Sequence, residues 1–307
     1  MNKQHFVTVV IPVFNESESL RRCLHALNNQ SFPGEKTEII VVDNASVEDI
    51  ETVTLSFQRV RYAYEPERGS YAARNKGVLL SRGDLVAFTD SDCIPEPRWI
   101  SELVSQYDYH ESCGLVAGCV KTTIREESKV SSAELYDKIF AFPQARYVKE
   151  YKFGVTANVL TSVEVFNQVG LFNSKLKSGG DYEWGWRAYQ TGYSIVYAPT
   201  AIVFHPARTT FSEISTKSLR VVQGHYELKK LNVYSPTKFF LATFADLFVP
   251  FRSSLSILTY SNCIDISDKV KVVLISIRLS YLRGILRLRL QILDILKNLF
   301  FIHKENK

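Results

Sequence analysis

Long apolar runs are missing from this chain. No stretch of about 18 uninterrupted apolar residues occurs, so a transmembrane helix is not expected. A signal-peptide pattern is missing too: Met1 to His5 is polar, and the apolar residues that follow are broken by Pro12 and Asn15, which reads as a strand. A cytoplasmic location is the resulting expectation. Cysteine is scarce. Cys23, Cys93, Cys113, Cys119 and Cys263 are five in number, with no C-x-x-C spacing, which favours reduced thiols over a disulfide framework or a zinc cluster. Most of the chain also lacks charge of one sign. Its net charge is +5, and residues 264–307 alone hold nine Lys/Arg against four Asp/Glu. The remainder is therefore neutral and carries no nucleic-acid footprint. No internal repeat or low-complexity tract is present.

What is present suffices for one large domain or two small ones, with 307 residues, 46% hydrophobic and 22% charged. The first half alternates as a parallel α/β domain should. Phe6 to Val13, Glu38 to Asp43, Val60 to Tyr64 and Asp84 to Thr89 read as strands, the first a β-branched run without polar alternation, as burial on both faces requires. A helix with Leu20, Cys23, Leu24 and Leu27 on one face follows the first strand, and Ala72 to Leu80 reads as another. Strand ends carry polar clusters: Asn15-Glu16, Asp43-Asn44 and Asp90-Ser91-Asp92. In open α/β sheets the ligand crevice lies beyond the carboxyl ends of the strands. One shared site is implied.

The second half is expected to add a strand at Gly114 to Lys121, a short helix at Ser162 to Val169, and a helix capped by Asp181 and running to about Thr191. Two more strands, Tyr193 to Ala198 and Ala201 to Phe204, lead to His205-Pro206. Beyond Phe211 the pattern is mainly helical: Phe239 to Leu258 is rich in Phe and Leu, and Val270 to Phe301 is Leu/Ile-rich with basic residues threaded through it. The domain boundary expected from this is a catalytic domain of residues 1–210 and a helical, basic region of 211–307.

Asp90-Ser91-Asp92 is the sharpest local feature. Two carboxylates flanking one residue at a strand end can hold a divalent cation that bridges the phosphates of a nucleotide. D-x-D alone is weak, because many surface turns contain it; following the strand DLVAFT it carries more weight.

The set VVIPVFNE (9–16), VVDNAS (41–46), GSYAARNKG (69–77) and DLVAFTDSD (84–92) resembles family 2 glycosyltransferases of the GT-A fold, and GLFNSKLKSGGDYEWGWRAYQTGY (170–193) resembles their acceptor-side segment. The resemblance covers roughly residues 6 to 206 and implies a Rossmann-like nucleotide-binding sheet with a mixed acceptor-side region, followed here by a helical extension. It implies a UDP-, GDP- or dTDP-sugar donor, a saccharide or lipid-linked acceptor, and Mn²⁺ or Mg²⁺ as cofactor. It places Pro12, Phe14, Glu16, Asp43, Arg74, Asp90 and Ser91 on the donor, with Phe14 stacked on the base and Asp43 bonded to it. Asp92 becomes the principal metal ligand, with Asp90 and His205 beside it. Asp181 matches the catalytic base, and Glu183, Trp184 and Trp186 fall on the acceptor side.

Each residue also has a plainer reading. Phe14 could be core, Asp43 a turn cap with Asn44 and Ser46, Arg74 an exposed helix charge, and Asp181 an N-cap with Glu183 a first-turn acid. His205 could be a packed histidine, and one of the two tryptophans core. Two departures bear on the resemblance: Gly180 stands where the family often has Glu, and the Q-x-x-R-W motif of processive synthases is not found. A single-transfer inverting enzyme in surface polysaccharide or glycolipid assembly is the expectation. A sugar nucleotidyltransferase is the rival, disfavoured because the first loop, PVFNESES, has no Gly. A non-catalytic binding module is disfavoured by the full set of acids. The basic tail reads either as a surface for anionic lipid on the inner face of the membrane or as a helical lid.

Overall fold

The computed structural model describes residues 4–124, 126, 129–250, 257 and 265–305. Eight strands form one mixed sheet in the order β3-β2-β1-β4-β7-β6-β8-β5. They are β1 (Val7–Val13), β2 (Thr37–Asp43), β3 (Val60–Tyr64), β4 (Leu85–Thr89), β5 (Ile94–Pro95), β6 (Cys113–Thr123), β7 (Asn158–Ser162) and β8 (Ser194–Pro206). β3, β2, β1 and β4 run parallel, β7 is antiparallel to both β4 and β6, and β6 pairs parallel with β8.

Every residue of β1 and of β4 is buried, as a strand covered on both faces demands. Helix α1 (Ser17–Asn28) turns Leu20, Cys23, Leu24 and Leu27 inward, the face expected from its spacing. Helix α3 (Ser70–Leu80), which follows α2 (Ile50–Leu55), lies so close to β1 that a Cβ on Gly77 would come within 2.3 Å of Val10. Helix α4 (Trp99–Tyr109) buries Trp99, whose indole N–H donates to Asn158 Oδ1 at 2.7 Å.

The two strands expected between Tyr193 and Phe204 are one strand, β8. Its register against β6 jumps from Gly118–Ala198 to Cys119–Ile202, so Pro199 to Ala201 bulge out of the ladder. Proline can sit there because no ladder bond is required of it. The buried Asn158 side chain fills the gap, its amide donating to the carbonyls of Cys119 (2.8 Å) and Ala201 (2.9 Å).

The chain divides into two compact units, residues 1–123 with 142–206 and residues 124–141 with 207–307. This division is discontinuous in sequence, unlike a single break after residue 210, because the second unit also draws in residues 124–141. Within it, α5 (Ser132–Phe140) places Ala133 in a small core with Ile214 and Leu279, and its buried Asp137 pairs with Arg208 at 3.0 Å. The other helices of the described part of this unit are α8 (Phe211–Lys230), α9 (Pro236–Phe248) and α10 (Ile266–Glu305); α6 (Val163–Val169) and α7 (Gly180–Gln190) belong to the first. The expected apolar run from Phe239 to Leu258 is helical to Phe248, and its end lies largely outside the described residues.

Candidate active site at the carboxyl ends of the strands

The chain leaves β1 through Asn15, which holds a left-handed conformation (φ 54°). Its backbone N–H donates to Ser46 Oγ at 2.9 Å, and its side-chain oxygen accepts from Val47 N–H at 2.8 Å. Pro12 is buried within β1 opposite Val42. Phe14, by contrast, is 44% exposed with the Arg68 guanidinium 4.7 Å above its ring. It is therefore an exposed aromatic stacked with Arg68 and not core.

At the end of β2, Asp43 accepts from Ser46 N–H (2.9 Å) and from the Tyr62 hydroxyl (3.1 Å). Oδ1 thus caps the turn, as the plainer reading has it, while Oδ2 is tied to the neighbouring strand β3. The neighbouring Asn44 ties the approach to α3, donating to Glu65 O and Glu67 O and accepting from Gly69 N–H.

Asp90 and Asp92 leave the end of β4, and His205 comes from the end of β8. One ligand atom from each lies within 4.8 Å of the others. The His205 Nδ1–H donates to the Pro206 carbonyl at 2.8 Å, which turns Nε2 toward Asp92 Oδ2, 3.4 Å away. Between the two acids, the buried Ser91 hydroxyl donates to Glu16 Oε2 at 2.5 Å. Removal from water by its neighbours raises the Glu16 pKa, and the Asp92 and Asp90 charges push it the same way. Behind them, burial and the same acids push the Cys23 and Cys93 thiols up. Both are buried and free of disulfide bonds.

Arg74 is buried, not an exposed helix charge, and its Nη2 donates to Asp90 Oδ1 at 2.5 Å. Its guanidinium also lies 5.7 Å from the centre of the Tyr71 ring. The buried Tyr71 hydroxyl in turn donates to Asp181 Oδ1 at 3.2 Å. Asp181 is not the N-cap expected of it: Gly179, in a left-handed conformation (φ 82°), takes that position. The carboxylate is thereby released from capping and turned to Tyr71. Burial raises its pKa, against the lowering effects of the Tyr182 N–H, Arg74 and the Tyr71 hydroxyl. A Cβ on Gly180 would meet the Tyr71 ring at 2.7 Å. The phenol fills the space a larger residue would need, which accounts for glycine here.

Trp184 is only 1% exposed, donates from its indole to the Gly170 carbonyl at 2.8 Å, and sits among Phe166 and Phe172. It is core and does not line an acceptor site. Glu183 is buried against Arg187 at 2.6 Å, and Arg187 reaches the Val169 and Leu171 carbonyls. That pair anchors the entry to α7. Trp186 is half-buried. Trp184→Ala is expected to cost about 3–5 kcal/mol of stability, read in urea melts, while acceptor KM in the surviving folded protein stays unchanged.

The sequence model of Glycosyl transferase family 2 matches residues 8–170, more than half of the chain. The chain belongs to glycosyl transferase family 2. Among curated members, Glycosyltransferase AglE of Haloferax volcanii is 35% identical over 240 residues, 76% of this chain and 78% of that protein. A relative in Methanococcus voltae, dolichyl N-acetyl-alpha-D-glucosaminyl phosphate 3-beta-D-2,3-diacetamido-2,3-dideoxy-beta-D-glucuronosyltransferase, is 22% identical over 73% of this chain and 76% of its own. The structure of the mannosyltransferase PcManGT from Pyrobaculum calidifontis, in complex with GDP-Man and Mn²⁺, superposes with a TM-score of 0.65 at 17% identity, covering 95% of this chain and 88% of that one. At that identity the likeness establishes the fold, which is GT-A. This family 2 enzyme is thus a glycosyltransferase using a nucleotide-sugar donor. Tyr71 is the site residue that sequence reading missed. Its only signal was an aromatic inside the GSYAARNKG segment, which a buried helix position also explains.

Proposed function

We propose that this glycosyltransferase moves one sugar per encounter, with inversion, from a nucleoside diphosphate donor to a hydroxyl of a saccharide or lipid-linked acceptor. The observation that carries the reading is the chain of contacts Asp90–Arg74–Tyr71–Asp181, which ties a half-buried carboxylate of raised pKa to the acidic strand end. A raised pKa makes Asp181 a stronger base toward an acceptor hydroxyl than an ordinary aspartate. Its proton acceptance, at the carboxylate oxygens beside Tyr71, would generate the attacking oxygen.

The donor set fits a divalent cation. Two carboxylates and an imidazole presenting Nε2, with Nδ1 anchored on a carbonyl, are ligands of the kind Mn²⁺ takes, and the carboxylates alone suit Mg²⁺. Asp92, Asp90 and His205 would hold it, and when bound it supplies a Lewis acid that offsets charge on the departing diphosphate. Arg74 keeps Asp90 oriented from beneath. Phe14 and Arg68 offer a planar face for the base. The lipid-linked acceptor is supported by the dolichyl phosphate substrate named for the Methanococcus voltae relative.

Two measurements test the reading. The anomeric proton coupling of the product, followed by NMR as it forms, should show the configuration opposite to that of the donor; retention would exclude a single displacement. In Tyr71→Phe the lowering effect of the phenol hydrogen bond on Asp181 is lost. The acid limb of the kcat/KM profile should therefore move to higher pH, with donor KM unchanged. An unmoved limb would remove Tyr71 from the base's environment.

A further inference from the structure

Helix α10 is apolar on both sides. Its inward side buries Val272, Leu279 and Leu290, and its Arg283 and Arg287 meet Asp246 of α9. Yet Val270, Leu274, Tyr281, Ile285, Leu288 and Ile292 recur at helical spacing and are each at least 44% exposed. From Val270 to Ile292 this stripe is about 33 Å long at 1.5 Å per residue. On α9, Phe240, Phe244 and Phe248 recur at every fourth residue and are exposed as well. Apolar residues scattered over a surface need no explanation, but periodic stripes on two helices packed together do.

The charge pattern names the occupant. Between Lys269 and Lys297 the one acid is Asp294, and it is turned inward onto Tyr226 and Lys229. Lys271, Arg278, Arg289 and Lys297 are exposed, and the first three follow one edge of the stripe, Lys271 being paired with Asp268 at 2.8 Å beyond its start. An apolar stripe with a basic edge, and no acid on its outer side, complements the headgroups and acyl boundary of an anionic bilayer. No helix among the described residues is long and apolar enough to cross one, so the helices would lie on it. We propose that the outer faces of α9 and α10 dock on the surface of an anionic lipid bilayer. This goes beyond the donor chemistry and states where a lipid-linked acceptor would be met; for that consequence alone it rests on the acceptor reading above.

The test is sedimentation of the full chain with phosphatidylcholine vesicles and with vesicles containing phosphatidylglycerol, without donor or acceptor. The wild type should pellet with the anionic vesicles, and less so at high salt. Two variants, Phe240→Ser with Phe244→Ser and Ile285→Ser with Leu288→Ser, should each weaken binding at least tenfold. Nucleotide titration of the same preparations shows whether the fold and donor site persist, so a failure of the donor reading registers separately. Wild-type protein that stays in the supernatant with both vesicle types overturns the proposal, as does unchanged binding by both variants. A wild-type dimer that the variants convert to monomer, without vesicle binding, overturns it in favour of a second copy of the chain.

Discussion

Asp181→Asn should lower kcat by about 10²–10⁴-fold, the contribution of a positioned general base, while donor affinity stays within about twofold of wild type, as expected for a group acting on the acceptor alone. The asparagine keeps the shape and can still accept from Tyr71 and the Tyr182 N–H, contacts that the aspartate makes in the structure. What it loses is basicity. The same variant carries a stability signature. Burial raises the folded-state pKa of Asp181, so the folded protein favours its protonated form more than the unfolded chain does. Its contribution to stability is present below the unfolded pKa and is lost as pH rises through the raised value. At neutral pH the half-buried carboxylate is therefore a cost, and Asp181→Asn should raise the melting temperature there while slowing transfer. Full activity in this variant would sink the assignment of the base.

Asp92→Asn should remove metal-dependent nucleotide binding, weakening it at least about tenfold, because a neutral amide replaces one of the charges that attract the cation. The loss should appear as insensitivity to Mn²⁺ rather than as unfolding, since Asp92 is partly open to solvent and sits at a strand end outside the main core. Chelation of the wild-type protein should reproduce the phenotype. A variant that binds nucleotide with wild-type metal dependence would place the cation elsewhere.

The parallel half of the fold was legible because its strands are buried on both faces and therefore read as unbroken apolar runs. The site was legible for a related reason: in such a sheet the polar residues collect at the strand ends, as Asp43, Asp90 and Asp92 do. Less could be read where structure depends on partners distant in sequence. β7 lies antiparallel between β4 and β6 through pairings such as Thr89–Asn158 that no local pattern reveals. The joining of residues 124–141 to the C-terminal helices depends on contacts like Asp137 to Arg208. Asp181 was legible as an acid at a helix start, but its release from the cap depends on the left-handed Gly179. Trp184 and Trp186 are two residues apart and identical in kind, so only packing against Phe166 and Phe172 could separate core from surface.

The central claim, a metal-dependent nucleotide-sugar site at Asp90, Asp92 and His205, is met most directly by calorimetric titration. Purified protein would be titrated with UDP, GDP and dTDP, each with and without Mn²⁺. Binding of one nucleotide that requires Mn²⁺ and disappears in Asp92→Asn is the predicted result, and it would also name the donor base. Binding that ignores both the metal and the substitution would contradict the account.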